Sequence, residues 1–275
     1  MLEPYYDDGG GRVIYHGDNC EVMGIMPAES VDLVVTSPPY DNLRTYSAGK
    51  SMSELWDFEG VAQQLWRVIK PGGVVVWVVA DATIDGSETG TSFRQALRFM
   101  EIGFRLHDTM IYERLGQPRL GIGQDCRCTQ DFEFMFVVSK DAPKTANMLT
   151  RPCKQAGVVQ RRRARDNHGD ALEESNNTTA DITVRGNIWC YPAGRSNDTA
   201  GNHPAIFPEA LARDHILSWS NDGDIVLDPF NGSGTTMKMA KLMGRRGIGI
   251  EVNEAYCEIA ANRLRQNVFD FTDQA

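Results

Sequence analysis

The sequence lacks long hydrophobic runs: none of its 275 residues lies in an apolar stretch near the roughly 20 residues of a membrane span. The first residues, MLEPYYDDGGGR, also lack the basic start and apolar stretch of a secretory signal peptide. These two absences predict a cytoplasmic protein without a membrane segment.

Paired cysteines are missing too, although the chain has six cysteines. None forms a C-x-x-C pair, and Cys126 and Cys128 have no second Cys or His pair at zinc-finger spacing. The common zinc patterns are therefore excluded. We predict free thiols and no bound metal.

Positive charge is scarce, because the formal net charge is −9 at pH 7. This balance argues against a protein that coats nucleic acid without specificity. The charge is uneven, however, since residues 144–165 include seven basic residues and no acidic one. Such a cluster predicts either local contacts with phosphate groups or a solvated, arginine-rich loop.

Buried strands alternate with helical segments in both halves of the sequence. Residues 31–35, VDLVV, and 74–80, VVVWVVA, are nearly continuous apolar runs, as in strands buried on both faces of a parallel sheet. Residues 58–69 have helical spacing and are followed by KPGG, which terminates helices. The alternation predicts an α/β fold with a doubly wound, mostly parallel, Rossmann-like sheet.

Between residues 141 and 202 the hydrophobic periodicity fails, and polar, glycine and charged residues dominate. A long segment of this kind is more often functional than idle. We therefore predict one domain in two halves, residues 1–140 and 203–275, separated by an insert at residues 141–202.

A glycine-rich turn follows the strand at residues 225–228 in the sequence IVLDPFNGSGTT, and the next strand ends at Glu251. Ligands of parallel α/β sheets bind beyond such strand ends, where an acidic residue can accept hydrogen bonds from ribose hydroxyls. A dinucleotide motif would need glycine at Met237, and a phosphate loop ending at residues 49–51 would need glycine at Arg44. A nucleoside without pyrophosphate fits better, and a plain turn is the alternative.

Residues 36–40, TSPPY, follow the first buried strand. Pro38 and Pro39 stiffen the backbone there, although this sequence also occurs in ordinary turns. An exocyclic amino nitrogen is a poor nucleophile, because its lone pair is delocalised into the ring. A side-chain acceptor at Ser37 and the carbonyl oxygen of Pro38 can bind its two N–H groups and direct the lone pair at a methyl donor. Tyr40 can stack on the base, which must first leave the duplex.

These two motifs together resemble those of the DNA methyltransferases that methylate exocyclic amino groups. The resemblance covers most of the chain and includes residues 16–18 (HGD), 65–73 (LWRVIKPGG), 203–208 (HPAIFP) and 249–251 (GIE). Because the catalytic motif precedes the cofactor motif, the order resembles the circularly permuted β class. It implies site-specific methyl transfer from S-adenosylmethionine to double-stranded DNA, with a target-recognition insert between the two halves.

The resemblance also implies roles for individual residues. The expected cofactor-binding residues are Asp228, Phe230, Gly232 and Gly234 for the methionyl part, Thr235 and Thr236 for its carboxylate, Glu251 for the ribose, Asp18 for the adenine amino group, and Phe207 and Pro208 for closing the pocket. The expected catalytic residues are Ser37, Pro38, Pro39 and Tyr40. Asp18 equally fits a helix N-cap, and residues 207–208 equally fit a loop before a helix.

Charge alone, rather than the resemblance, makes the insert arginines the expected DNA contacts: Arg161, Arg162, Arg163 and Arg165. The chain departs from the family pattern at residues 112–114, YER, where similar proteins often have Trp-x-Lys. The role of that stretch is therefore in doubt.

The base is predicted to be cytosine, modified at N4, because family members that methylate adenine usually carry Asp or Asn in place of Ser37. Adenine N6 is the alternative, since all three side chains accept hydrogen bonds. Cytosine C5 chemistry would need a Pro-Cys nucleophile after a buried strand, whereas residues 152–153 lie in the insert. A non-catalytic DNA-binding module and an RNA or small-molecule substrate are further alternatives.

The resemblance leaves the partners open. It is compatible with a cognate restriction nuclease or with an orphan enzyme, and similar proteins often pair as homodimers.

Overall fold

The computed structural model describes residues 3–39, 56–116, 128, 130–162, 175–192 and 208–266. The chain divides into two compact units, a larger one of residues 1–147 with 187–275 and a smaller one, Met148–Gly186. None of the helices in the described ranges has the length and apolar character needed to cross a membrane.

Helices and strands alternate through the larger unit, as the sequence predicts. The helices of the described residues are α1 (Asn19–Ile25), α2 (Phe58–Val68), α3 (Thr91–Ile102), α4 (Glu209–Trp219), α5 (Thr235–Leu242) and α6 (Glu254–Arg265). The strands are β1 (Tyr6–Asp7), β2 (Arg12–His16), β3 (Val31–Thr36), β4 (Ile69–Val79), β5 (Thr83–Ile84), β6 (Ser87–Glu88), β7 (Arg105–Leu115), β8 (Phe132–Ser139), β9 (Thr150–Pro152), β10 (Val159–Arg162), β11 (Ser175–Thr178), β12 (Ile182–Val184), β13 (Ile188–Pro192), β14 (Ile225–Asp228) and β15 (Arg246–Glu251).

One large sheet organises the larger unit, with the strand order β1-β2-β15-β14-β3-β4-β8-β7-β13. Strands β2, β15, β14, β3 and β4 run parallel to one another. Strand β8 is antiparallel to both β4 and β7, whereas β13 is parallel to β7. The predicted mostly parallel α/β fold is confirmed. The chain continues from β14 to β15 in one direction and from β3 to β4 in the other, so a topological switch point lies between β14 and β3.

Helices cover both faces of this sheet. The ring of Phe134 in β8 lies 5.1 Å from that of Phe93 in α3, whereas the Sδ atom of Met135 lies 3.2 Å from Nε2 of His215 in α4. Successive strand side chains point to opposite faces, so α3 and α4 lie on opposite sides. Helices α1 and α2 pack on the side of α3, and α5 and α6 pack on that of α4. The sheet is therefore doubly wound.

The helix predicted over residues 58–69 ends at Val68, before the KPGG segment. The glycines, however, belong to β4, which begins at Ile69 rather than at Val74. Lys70 holds this extension in place, since its Nζ lies 2.7 Å from Oδ1 of Asp32 in β3. The segment therefore ends a helix and starts a strand at once.

The smaller unit consists of two antiparallel ribbons, β9 with β12 and β10 with β11. It is narrower than the insert of residues 141–202 expected from the sequence. On one side, Ile188–Pro192 pairs with β7 in the large sheet. On the other, the amide of Asn147 donates to the carbonyl of Ser218 at 2.8 Å. The bounds of the insert are corrected accordingly, because a short strand buried on one face leaves little periodicity.

Candidate functional site

Four predicted site residues follow the carboxyl ends of neighbouring strands. Asp18 comes after β2, Glu251 ends β15, Asp228 ends β14 and Ser37 follows β3. These strands are adjacent and parallel, so all four residues lie at one edge of the sheet. The edge includes the switch point, where α/β proteins bind ligands.

Asp228 links the glycine turn to the strand that precedes Ser37. Its Oδ1 accepts hydrogen bonds from Oγ1 of Thr36 at 2.7 Å and from the amide of Phe230 at 3.1 Å. Burial raises the pKa of Asp228 to about 6, against the hydrogen bonds from Thr36, Thr236 and Phe230, which lower it. Within the described residues no basic side chain forms a salt bridge with it. An ionised carboxylate in this position favours a cationic ligand.

Glu251 is tied to the glycine turn through its carboxylate. Oε2 accepts from the amide of Gly232 and Oε1 from that of Asn253, both at 2.8 Å. Burial raises the pKa of Glu251, and the negative charge of Asp228 raises it further. Each oxygen keeps a lone pair beyond these bonds. The carboxylate is thereby oriented and can accept hydrogen bonds from a diol such as ribose.

Gly234 begins α5 with a φ of 80°, in the left-handed region that favours glycine. A Cβ atom there would lie 2.7 Å from Cβ of Ala260 in α6. Glycine is therefore required at this position by the packing of α6, independently of any ligand.

The hydroxyl groups of Thr235 and Thr236 contact protein atoms. Oγ1 of Thr235 accepts from Nη1 of Arg263 at 3.1 Å, and Oγ1 of Thr236 donates to the carbonyl of Val35 at 3.2 Å. Both residues lie in the first turn of α5, whose backbone N–H groups have no partner within the helix. A carboxylate bound here would be held by those N–H groups, so we narrow the predicted role to the backbone.

Asp18 is the N-cap of α1, which is one of its two expected roles. Its Oδ1 accepts from the amides of Cys20 and Glu21 at 2.8 and 3.0 Å. Binding of an adenine amino group stays a prediction and would use the other oxygen.

Pro208 is buried at the start of α4, while Phe207 lies outside the described residues. The next residue, Glu209, accepts from Nη2 of Arg263 at 2.6 Å and from Nζ of Lys238 at 2.8 Å. Arg263 also donates to the carbonyl of Ser233 in the glycine turn at 2.9 Å. The segment that is expected to close the donor pocket is thus tied to the glycine turn.

The first three residues of the predicted catalytic group continue from β3 without helical structure. Pro38 is buried, and Ser37 and Pro39 are partly exposed. Tyr40 lies outside the described residues. Of the predicted DNA contacts, Arg161 and Arg162 end β10, and the other two, Arg163 and Arg165, also lie outside them.

Sequence reasoning missed two residues beside the glycine turn. The ring of Trp56 lies 4.9 Å from that of Phe230, edge to face. Asn231 is only 4% exposed, and neither its Oδ1 nor its Nδ2 has a hydrogen-bond partner in the described part of the chain. Its carboxamide faces Gly249, where a Cβ atom would lie 2.6 Å away. Both contacts cross between segments that are distant in sequence, so no local pattern signals them.

The site fits a cationic nucleoside. Asp228 and Glu251 are two buried carboxylates that repel each other, and neither is paired with a basic side chain in the described ranges. A pyrophosphate would add negative charge here, whereas a sulfonium and an ammonium group would neutralise it. Nor do the described residues contain a cluster of three His, Cys, Asp or Glu side chains that could hold a metal ion.

Comparison with known proteins gives consistent matches over most of the chain. Residues 31–262 match the family described as DNA methylase. Orphan methyltransferase M.BamHII of Bacillus amyloliquefaciens is 51% identical over 247 residues, which cover 87% of this chain and 90% of that protein. DNA adenine methyltransferase YhdJ of Escherichia coli K12 is 30% identical over 266 residues, or 95% and 85% of the two chains.

Solved structures share the fold. PvuII DNA methyltransferase, described as cytosine-N4-specific, aligns with a TM-score of 0.70 at 22% identity, over 94% of this chain and 88% of that one. The DNA modification methylase TTHA0409 of Thermus thermophilus, complexed with S-adenosylmethionine, aligns with a TM-score of 0.58 at 23% identity, over 91% and 93%.

Proposed function

Because this chain belongs to the DNA methylases that modify exocyclic amino groups with S-adenosylmethionine as donor, we propose that it methylates N4 of cytosine in double-stranded DNA. The observation that carries the choice of base is Ser37, a short hydroxyl side chain directly after β3. The target cytosine is flipped out of the duplex to reach it.

Ser37 and Pro38 act on the amino nitrogen of the base. The Ser37 hydroxyl and the Pro38 carbonyl oxygen accept its two N–H groups, which turns the lone pair toward the donor site. That lone pair forms the new N–C bond, and the nitrogen then loses a proton. The reaction needs no covalent enzyme intermediate. Tyr40 supports the base by stacking.

Residues of the glycine turn hold the donor, which supplies a methyl group on a positively charged sulfur. Asp228 neutralises the positive charge, Glu251 accepts hydrogen bonds from the ribose hydroxyls, and the first turn of α5 binds the carboxylate through backbone N–H groups. Asp18 accepts from the adenine amino group. The hydrogen bond from Thr36 to Asp228 joins this pocket to the catalytic segment.

Adenine N6 is the second candidate, and one relative favours it. YhdJ, 30% identical to this chain, is described as a DNA adenine methyltransferase. A hydroxyl also accepts a hydrogen bond from either amine. Reach favours cytosine, because the Ser oxygen is one bond closer to the backbone than an Asp or Asn oxygen.

The choice of base is tested by identifying the product. DNA incubated with the enzyme and labelled donor is digested to nucleosides, which are identified by mass spectrometry. We expect label in N4-methylcytosine. Label found only in N6-methyladenine would overturn the choice of base, and unlabelled DNA would overturn the catalytic role. Heat-inactivated enzyme is the control.

M.BamHII is described as an orphan methyltransferase, and by analogy we propose that this enzyme acts without a cognate nuclease. Methylation-aware sequencing of DNA from cells that express it would give the recognition sequence. A nuclease that cuts the same unmethylated sequence in the source cells would contradict the orphan assignment.

Donor affinity is expected to fall as the pH is lowered through about 6, the value to which burial raises the pKa of Asp228. Above that pH the ionised carboxylate attracts the cationic donor, and below it the attraction is lost. The loss should approach about tenfold per pH unit, as for one proton linked to binding. The unliganded protein responds in the opposite sense, because a raised pKa contributes stability that is lost as the pH rises through about 6.

Calorimetric titrations of the donor on both sides of this pH measure the effect. Asp228→Asn keeps the shape of the side chain but cannot ionise, so its pH dependence should be flat in this range. A step near pH 6 that persists in this variant would assign the titration to another group.

The insert arginines are expected to bind DNA phosphates. Replacing Arg161, Arg162 and Arg163 by alanine should weaken DNA binding and reduce its salt slope by about 0.9 for each lost contact. Donor binding should not change. Fluorescence anisotropy at several salt concentrations measures both quantities, with Arg105→Ala in β7 as the control. An unchanged slope would identify these residues as a solvated loop.

A further inference from the structure

An apolar surface covers the outer face of α3 and the neighbouring open part of the large sheet. Its members are large apolar side chains that are 37–60% exposed. They are Phe93, Leu97 and Met100 of α3, Leu115 of β7, Phe132 of β8 and Ile188 of β13. This set is called the α3 surface below.

The strand register joins these residues into one face. Ile188 pairs with Ile111, which pairs with Phe134, and Phe134 contacts Phe93 of α3. Trp189, the neighbour of Ile188, is turned the other way and packs on His215 of α4, with ring centroids 4.6 Å apart. Because paired residues share a face and successive residues alternate, Ile188 lies on the side of α3.

The two sides of β7 and β13 are covered unequally. On one side α4 holds β13, since the hydroxyl of Tyr191 donates to Oδ2 of Asp214 at 2.6 Å. On the other side, no helix of the described residues lies beyond α3. Sheets of this class normally have both faces covered, and soluble monomers rarely expose so continuous an apolar patch. One helix is therefore missing from the α3 side.

Two opposite charges flank the middle of the exposed face of α3. Arg94 precedes Leu97 by three residues and Glu101 follows it by four. Arg94 has no carboxylate within ion-pair distance in the described ranges, and its Nη2 contacts only Oγ1 of Thr91, at 3.2 Å. The Glu101 side chain is 65% exposed and pairs with Arg98. This arrangement is complementary to its own copy when two helices run antiparallel.

We propose that the α3 surface binds a second copy of this chain, with the two α3 helices antiparallel about a two-fold axis near Leu97. Arg94 then meets Glu101 of the partner subunit, and the symmetric pair repeats on the other side of the axis, as an isologous interface requires. Each α3 takes the place of the missing helix beside β7 and β13 of the other copy. The predicted site is three strands away, beyond β3, β14 and β15, so pairing leaves it open to DNA.

Sedimentation equilibrium of the full chain tests this proposal. The parent is expected at twice its monomer mass of 30.6 kDa. Leu97→Asp should abolish pairing, because it buries a charge without a partner at the axis. Ile25→Asp is the matched control, since Ile25 is also exposed, at 62%, but lies on α1 away from the α3 surface. Circular dichroism and donor binding verify that each variant is folded.

A charge exchange tests the orientation of the helices. Arg94→Glu and Glu101→Arg should each raise the dimer dissociation constant at least tenfold. The double exchange should bring the constant back to within about threefold of the parent, because the symmetric pairs form again with reversed sign. A dimer that survives Leu97→Asp, or a double exchange no better than the single variants, would overturn the interface. A parent that stays monomeric at its highest soluble concentration would show that the face is left open or is covered by the same chain.

Discussion

Replacing Ser37 by alanine is expected to lower turnover on DNA by about two to three orders of magnitude, while donor affinity stays within about twofold of the parent. The hydroxyl is proposed to act on the amino nitrogen as it becomes nucleophilic, so its loss affects the transition state more than the bound ground state. Single-turnover kinetics and calorimetry measure the two quantities separately.

Ser30→Ala is the matched control, because Ser30 precedes the same strand at its opposite end. Its hydroxyl donates to the carbonyl of Pro27 at 2.8 Å, far from the carboxyl edge of the sheet. It should keep the turnover of the parent. If Ser37→Ala loses donor affinity as strongly as turnover, the residue belongs to the donor pocket and its proposed role is wrong.

Replacing Asp228 by alanine is expected to weaken donor binding by at least two orders of magnitude. The change removes the charge that is proposed to neutralise the donor and also the acceptor of the Thr36 hydroxyl and the Phe230 amide. Burial of the charge without a cationic partner is relieved at the same time, which offsets part of the loss in stability. Calorimetry gives the affinity, and thermal unfolding shows that the variant is folded.

Asp224→Ala serves as the control at the opposite end of the same strand, where Oδ2 of Asp224 accepts from the amide of Asn221 at 2.7 Å. Donor affinity should not change in it. Gly232→Leu tests the pocket in another way, because the φ of 48° at Gly232 disfavours a bulky side chain. Folded Asp228→Ala and Gly232→Leu proteins that bind the donor as tightly as the parent would remove the glycine turn from the site.

Local spacing in the sequence was enough to predict the glycine turn and its neighbours. Residues 225–236 form a strand, a turn and the start of a helix, and Glu251 ends the next strand as predicted. Parallel strands end at one edge, so the fold class alone brought Ser37 to the same edge as Asp228. Motif order then indicated the family, and the comparisons confirm it.

Contacts between distant segments were beyond such reasoning. Trp56 reaches Phe230 because β14 pairs with β3, and no local pattern encodes that distance. Strand β13 was assigned to the insert, since its alternation extends over five residues only. The hydroxyls of Thr235 and Thr236 were expected at the ligand, yet burial of the first turn of α5 directs them to Arg263 and Val35.

The adjacency of β3 and β14 has a consequence for how the protein is made. Thr36 and Asp228 share a hydrogen bond across 192 positions of the chain, so the centre of the sheet cannot close until synthesis is nearly complete. Until then, β3 presents an unpaired apolar edge while the ribosome adds the remaining residues at about 5–20 per second. Long-range pairing of this kind folds slowly, and an open edge of this kind favours aggregation. A chain released before β14 would therefore be a substrate for chaperones or proteases rather than half an enzyme.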